Sequence, residues 1–206
     1  MPKKAGIVFV IIGAVLILSA LSLFLFNQNE DAQAGQEAEK LLIDVQAEIQ
    51  EMETASSTRP ESLEETEMPV AEIDGREYVG YLSIPDLELE LPVMSEWDYA
   101  KLKIAPCRQF GSSRTDDLVI AAHNYRKHFG RLSQLESGAA VVFTDMDGIE
   151  NKYEVILIDT LAPDEVEAVQ NSGYDLVLYT CTYGGKTRVT VFCNRQEDAA
   201  QLSEVD

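Results

Sequence analysis

The chain has three cysteines and two histidines, so a thiol–imidazole chemistry can be assigned among very few residues. Nucleophilic catalysis needs a nucleophile, a base that moves its proton and a donor for the developing oxyanion. Cys181 ends an apolar run, Leu176-Val-Leu-Tyr-Thr-Cys181, and leads into Tyr183-Gly184-Gly185. A strand end beside a glycine turn holds a side chain rigidly and leaves it within reach of a substrate. Cys193 shares the parity of Val189 and Val191 and reads as a small buried hydrophobe. Cys107, after Ile104-Ala-Pro, carries no spacing signal. A Cys107–Cys193 disulfide is open to an exported chain, and the odd count leaves at least one thiol free or paired between chains.

His123 ends the run Leu118-Val-Ile-Ala-Ala122, an arrangement parallel to that of Cys181, and is the expected base. His128 lies among Arg126, Lys127 and Arg131 and is expected on a surface connection. A zinc site is disfavoured, since no C-x-x-C or comparable pair exists. For the third role there are Arg188 and Arg195, at the two ends of the last expected strand. Positions seven apart on a strand face opposite ways. If Val189, Val191 and Cys193 form the core face, Arg195 shares it and Arg188 points to the other side, where a groove could lie.

The elements that must position these residues are short. Apolar or alternating runs recur between turn residues over 78–84, 87–93, 118–122, 139–144, 153–160, 176–180 and 188–193. This punctuation predicts a mostly β domain, a barrel or sandwich. Two helical pieces are expected, near 96–102 and 163–170, the second with Asp164-Glu165 after Pro163 at its N-terminus.

Ahead of the β-rich part, residues 5–26 are an unbroken apolar run, long enough to span a hydrocarbon core of roughly 30 Å. Lys3 and Lys4 precede it and Glu30 and Asp31 follow, which puts the N-terminus in the cytoplasm and the rest outside. The alternative is a cleaved signal peptide, with Ala32-Gln33-Ala34 as a small-x-small site. The apolar run exceeds the usual signal length of roughly 7–15 residues, which favours an uncut anchor. Ala38, Leu41, Leu42, Val45, Ile49 and Met52 then recur at helical spacing. They predict an amphipathic stalk helix docked on the following domain, with a coiled-coil partner site as the alternative. Residues 54–70 read as a flexible linker. The expected divisions are therefore 1–26, 27–77 and 78–206. A formal charge of −20 excludes nucleic acid as a partner and argues against a peripheral protein held by basic patches.

Taken together these residues resemble the sortase family. Val177-Leu178-Tyr179-Thr180-Cys181 is similar to the family's TLxTC strand, with Val at the first position, and Arg188 matches the position of the sortase arginine. Ile120-Ala121-Ala122-His123-Asn124 is similar to the strand-end histidine motif, with Ala122 in place of the usual Gly. Tyr81-Leu82-Ser83-Ile84-Pro85 and Leu91-Pro92-Val93 are similar to the opening strands. The resemblance implies a closed eight-stranded β-barrel with short helices, preceded here by the transmembrane and stalk helices. It implies that Cys181 attacks an LPxTG-like C-terminal sorting signal to form a thioacyl enzyme. His123 would serve as general acid and base and Arg188 as substrate and oxyanion partner, with Thr180 and Asn124 beside the substrate.

Implied partners are sorting-signal-bearing surface proteins, with a peptidoglycan precursor or a pilin amine as acceptor. No metal or organic cofactor is implied; some sortases bind calcium, but the acidic residues here do not line up with that site. The short stretch between Cys181 and Arg188, and the absence of a second hydrophobic anchor after the last strand, lean toward cell-wall anchoring over pilus assembly. Two other readings stay open: a surface cysteine peptidase using the same Cys181 and His123 with water as acceptor, and a non-catalytic module with a sortase-like barrel.

Overall fold

The computed structural model describes residues 2–56 and 66–196. The expected anchor and stalk are one element, the helix α1 (Pro2–Ser56). Residues 27–37 contain no proline, and Gly35 alone weakens the run, so nothing forces a break. At 1.5 Å per residue α1 is roughly 80 Å long. Its N-terminal part is long and apolar enough to cross a membrane. Farther along, the amphipathic face docks: Ala38, Leu41, Leu42, Val45 and Ile49 are buried. Leu41, Val45 and Ile49 pack with Tyr78, Met94, Ala105, Cys107 and Ala121 on the outside of a β-barrel. Of the linker expected over 54–70, residues 57–65 lie outside the described residues. Its far end is not loose, since Met68 is buried and its Sδ lies 3.5 Å from the Ser113 N–H.

Among the described residues nine strands follow: β1 (Ala71–Ile73), β2 (Arg76–Ile84), β3 (Leu89–Met94), β4 (Cys107–Phe110), β5 (Leu118–Ala122), β6 (Ala140–Asp145), β7 (Glu150–Leu161), β8 (Leu176–Cys181) and β9 (Arg188–Arg195). The short helix α2 (Val166–Gln170) lies between β7 and β8. Eight strands close a barrel in the order β2-β3-β4-β5-β8-β9-β7-β6, with β6 pairing back onto β2; β1 only extends the start of β2. Closure makes β2 serve both β3 and β6, and Gly80 sits where that happens, at φ +144°. A Cβ there would lie 2.0 Å from the Thr144 carbonyl oxygen, so only glycine fits. The barrel interior takes alternate residues of each strand, among them Leu82, Ile84, Leu91, Val93, Leu118, Ile120, Phe143, Leu176, Leu178 and Val191.

The structure departs from the sequence-based expectation in several places. β1 and β4 were not anticipated, being three and four residues long without a clear alternation. The helix expected near 96–102 shrinks to a single 3-10 turn, Lys101–Lys103. The Asp98 carboxylate accepts from the Ala100 N–H at 2.7 Å and the Lys101 N–H at 3.3 Å, which favours a turn over a longer helix. All three cysteines are free. Cys193 lies in the barrel interior and Cys107 in the cluster beneath α1, so the barrel wall separates the two thiols that could have paired.

Candidate active site

β5 and β8 run parallel and in register up to the pair Ala122 with Thr180. His123 follows one strand and Cys181 ends the other, so the imidazole and the thiol leave neighbouring strands about 4.8 Å apart. The Thr180 hydroxyl donates to the Ala122 carbonyl at 2.9 Å and is buried, tying the two strand ends together. On the other side of β8, Cys181 stands directly opposite Arg188 of β9.

All three side chains share the outer face of the barrel. Leu176, Leu178 and Val191 fill the interior, whereas Val119, Val177 and Phe192 form a separate cluster outside it. By alternation Cys181 takes the face of Val177, Arg188 that of Phe192 and His123 that of Val119. Beyond Cys181 the chain turns back at once: the Thr182 N–H donates to the Thr187 carbonyl at 2.9 Å, and Gly184 and Gly185 hold φ of 84° and 71°. The Arg188 Nη1 donates to the carbonyls of Gly185 at 3.2 Å and Thr187 at 3.1 Å, anchoring the guanidinium over this hairpin.

Arg195 lies at the opposite end of β9, where its Nε donates to Asp116 at 2.7 Å and its Nη1 to Asn151 at 2.8 Å. Its guanidinium also stands 5.2 Å from the centre of the Tyr153 ring. It is held by structural partners and does not approach Cys181 along the ladder.

The thiols differ in burial. Burial pushes Cys107 up to about 11 and Cys193 up to about 12, so both stay protonated near neutral pH. Cys181 alone is half-exposed. Burial lowers His123 below the ordinary histidine value, with Lys103 acting the same way and Asn124 and Glu30 opposing. Its imidazole is therefore neutral at pH 7 and can accept a proton.

His128 is not on a surface connection, as its basic neighbours suggest, but fully buried, because the chain after His123 folds in under α1. Burial pulls it down to about 4.

Beside Arg188 a groove of about 190 Å³ is lined by Trp97, Tyr99, Phe110 and Tyr179 together with Val166 and Val169 of α2. Sequence reasoning did not single out these aromatic positions. The available signal is Trp97 and Tyr99 two residues apart, whose rings meet edge to face at 4.7 Å. Among the described residues, no three His, Cys, Asp or Glu side chains converge as a metal ion would require.

Comparison with known proteins agrees with this architecture. The sortase domain family model matches residues 82–196, more than half of the chain. Sortase A of Bacillus anthracis is 26% identical over 161 residues, covering 75% of this chain and 73% of that protein. Among solved structures, a Clostridium perfringens sortase D5 transpeptidase superposes with a TM-score of 0.59 at 15% identity, over 79% of this chain and 99% of that one. A Clostridium perfringens sortase C, solved with the C-terminal cell wall sorting motif, gives 0.53 at 20% identity, over 77% and 91%.

Proposed function

This chain belongs to the sortase family, and from that membership we propose that it is a membrane-anchored cysteine transpeptidase acting on C-terminal sorting signals. The observation that supports this most is the convergence of three strand ends, with His123 after β5, Cys181 closing β8 and Arg188 opening β9, on one outer face of the barrel. Cys181 attacks the backbone carbonyl of an LPxTG-like signal. His123 first takes the thiol proton and passes it to the departing amine; a thioacyl enzyme remains. An incoming amine then attacks the thioester, loses its proton to His123 and leaves as an amide, restoring the thiol. Arg188 opposes the negative charge on each tetrahedral oxygen.

The groove lined by Trp97, Tyr99 and Tyr179 is where the apolar part of the signal lies. Thr180, expected beside the substrate, is instead buried with its hydroxyl on the Ala122 carbonyl and positions the strand ends, whereas Asn124, half-buried beside His123, faces the substrate. Residues 1–26 anchor the chain with its N-terminus in the cytoplasm and the rest of α1 forms the stalk; the extracellular catalytic domain, expected from residue 78, begins earlier, since β1 and the first residues of β2 already belong to its sheet. The proteins handled are surface proteins bearing the signal, and the acceptor is an amine of a peptidoglycan precursor or of a pilin.

The test is incubation with an LPxTG-type peptide, with and without an amine acceptor. An amide product that depends on the acceptor supports transpeptidation. Acid product alone, unaffected by the amine, would make the protein a peptidase, and no turnover of any signal peptide would leave a non-catalytic barrel.

A further inference from the structure

A histidine that both gives and takes protons must be held in one orientation, and in many hydrolases a carboxylate on the far ring nitrogen does this. Among the described residues His123 has no such carboxylate: its Nδ1 is shut off from solvent, and the side chain that offers the imidazole a hydrogen bond is the amide of Asn124. What meets the imidazole is the ring of Tyr125, stacked at 4.1 Å between centroids and only 13° from parallel. Tyr125 is held from behind by His128, whose ring meets it edge-on at 5.5 Å and 67°. His128 is fully buried beside the Ala34 backbone of α1, and its ring packs against that of Tyr125.

The loop that carries these rings is closed on itself and docked on α1. The N–H groups of His128 and Gly130 both donate to the Tyr125 carbonyl at 2.9 Å. The Lys127 N–H donates to the Asp31 carboxylate at 3.1 Å. One turn later α1 presents Gly35, where a Cβ would lie 2.7 Å from Lys127 Cγ, so the absent side chain is what lets helix and loop approach. Asp31 is only five residues beyond Phe26, the end of the apolar run.

We propose that Tyr125 is the positioning residue of the His123 imidazole, held in place by His128 and by the turn of α1 that carries Asp31 and Gly35. This rests on the reading of His123 as the acid–base residue. Stacking fixes the ring plane without occupying a nitrogen, and the ring helps to bury the imidazole, the main reason its titration lies below the ordinary histidine value. The segment of α1 just outside the apolar run thereby becomes part of the framework of the site. The charged groups around these rings are Lys103 and Glu30 near His123, and Glu30 and Asp31 near Tyr125, with Asp31 also near His128.

The experiment uses the full-length chain in detergent, labelled at histidine; its two histidines give two titrating sets of NMR signals. In Tyr125→Leu the titration of His123 should move up toward the ordinary histidine value, while in Tyr125→Phe, which keeps the ring, it should stay. With an LPxTG-type peptide, kcat should fall about tenfold or more in Tyr125→Leu with KM little changed, and Tyr125→Phe should restore it. Asp31→Ala should reproduce both effects in weaker form, and Asp31→Asn, which keeps an acceptor oxygen, should not. An unchanged His123 titration and kcat in Tyr125→Leu would overturn the proposal. If Tyr125→Leu does not fold, the Asp31 pair decides on the same two measurements. If the wild type turns over no signal peptide, the functional reading fails, and the titrations alone still decide whether Tyr125 positions His123.

Discussion

Cys181 and Arg188 form the last cross-strand pair of the β8–β9 ladder, one residue short of the hairpin that joins the two strands. Directly opposed residues keep their Cβ atoms about 5 Å apart on the same face. The guanidinium therefore needs no long loop to reach the thiol's substrate.

Arg188→Ala should lower turnover of a sorting-signal peptide by about 10²–10³, the usual loss for one oxyanion donor. Arg188→Lys should recover only part of it, because an ammonium lacks the planar fork. Arg195→Ala should keep turnover per folded molecule and lose stability, since it removes the contacts to Asp116, Asn151 and Tyr153. Kinetics and thermal melting on the same samples separate the two, and the reverse pattern would mean the functional arginine is misassigned.

The docked half of α1 makes a packing prediction. Ile49 is buried against the barrel whereas Ile43, on the same helix, is 63% exposed. Ile49→Ala should cost about 2–5 kcal/mol, and Ile43→Ala no more than about 0.5 kcal/mol. Equal melting temperatures for the two variants would show that the helix does not rest on the barrel in solution.

Seven of the nine strands are readable from apolar runs between turn residues, and the parity of Val189, Val191 and Cys193 already separates Arg188 from Arg195. Two strands are not, because β1 and β4 are too short to show a period and exist only through their neighbours. The burial of His128 is equally hidden. Three basic residues around it point to solvent, and only the return of α1 over the loop turns its ring inward. The groove beside Arg188 escapes detection for a related reason, as Trp97, Phe110 and Tyr179 come from three separate segments that meet only when the barrel closes.

Burial holds His128 at about 4, below the ordinary 6.5. Between those values the unfolded chain binds a proton that the folded chain refuses. Stability from this residue is complete above pH 6.5 and falls as pH drops to 4, by up to about 3 kcal/mol. His128→Phe should flatten that part of the acid limb. Urea unfolding followed by the single tryptophan at pH 7.5 and pH 4.5 checks it, and an unchanged pH difference in the variant would refute the assignment.

Ala34 is buried and Asp31 is bonded to the loop after His123. Cleavage near Ala34 would remove that bond, so an uncut anchor is predicted. An N-terminal tag should stay in the membrane fraction on the same chain as Cys181. Secreted protein beginning near Gly35 would contradict this.

The most direct test of the account is intact-mass analysis after brief incubation with an LPxTG-type peptide, for the wild type and for Cys181→Ala and Cys193→Ala. Cys193 and Cys107 are buried thiols held protonated, so a single thioacyl adduct should form on the wild type and on Cys193→Ala. That adduct should be absent from Cys181→Ala and should discharge when an amine acceptor is added. An adduct of the same mass on Cys181→Ala would contradict the assignment of the nucleophile and the mechanism built on it.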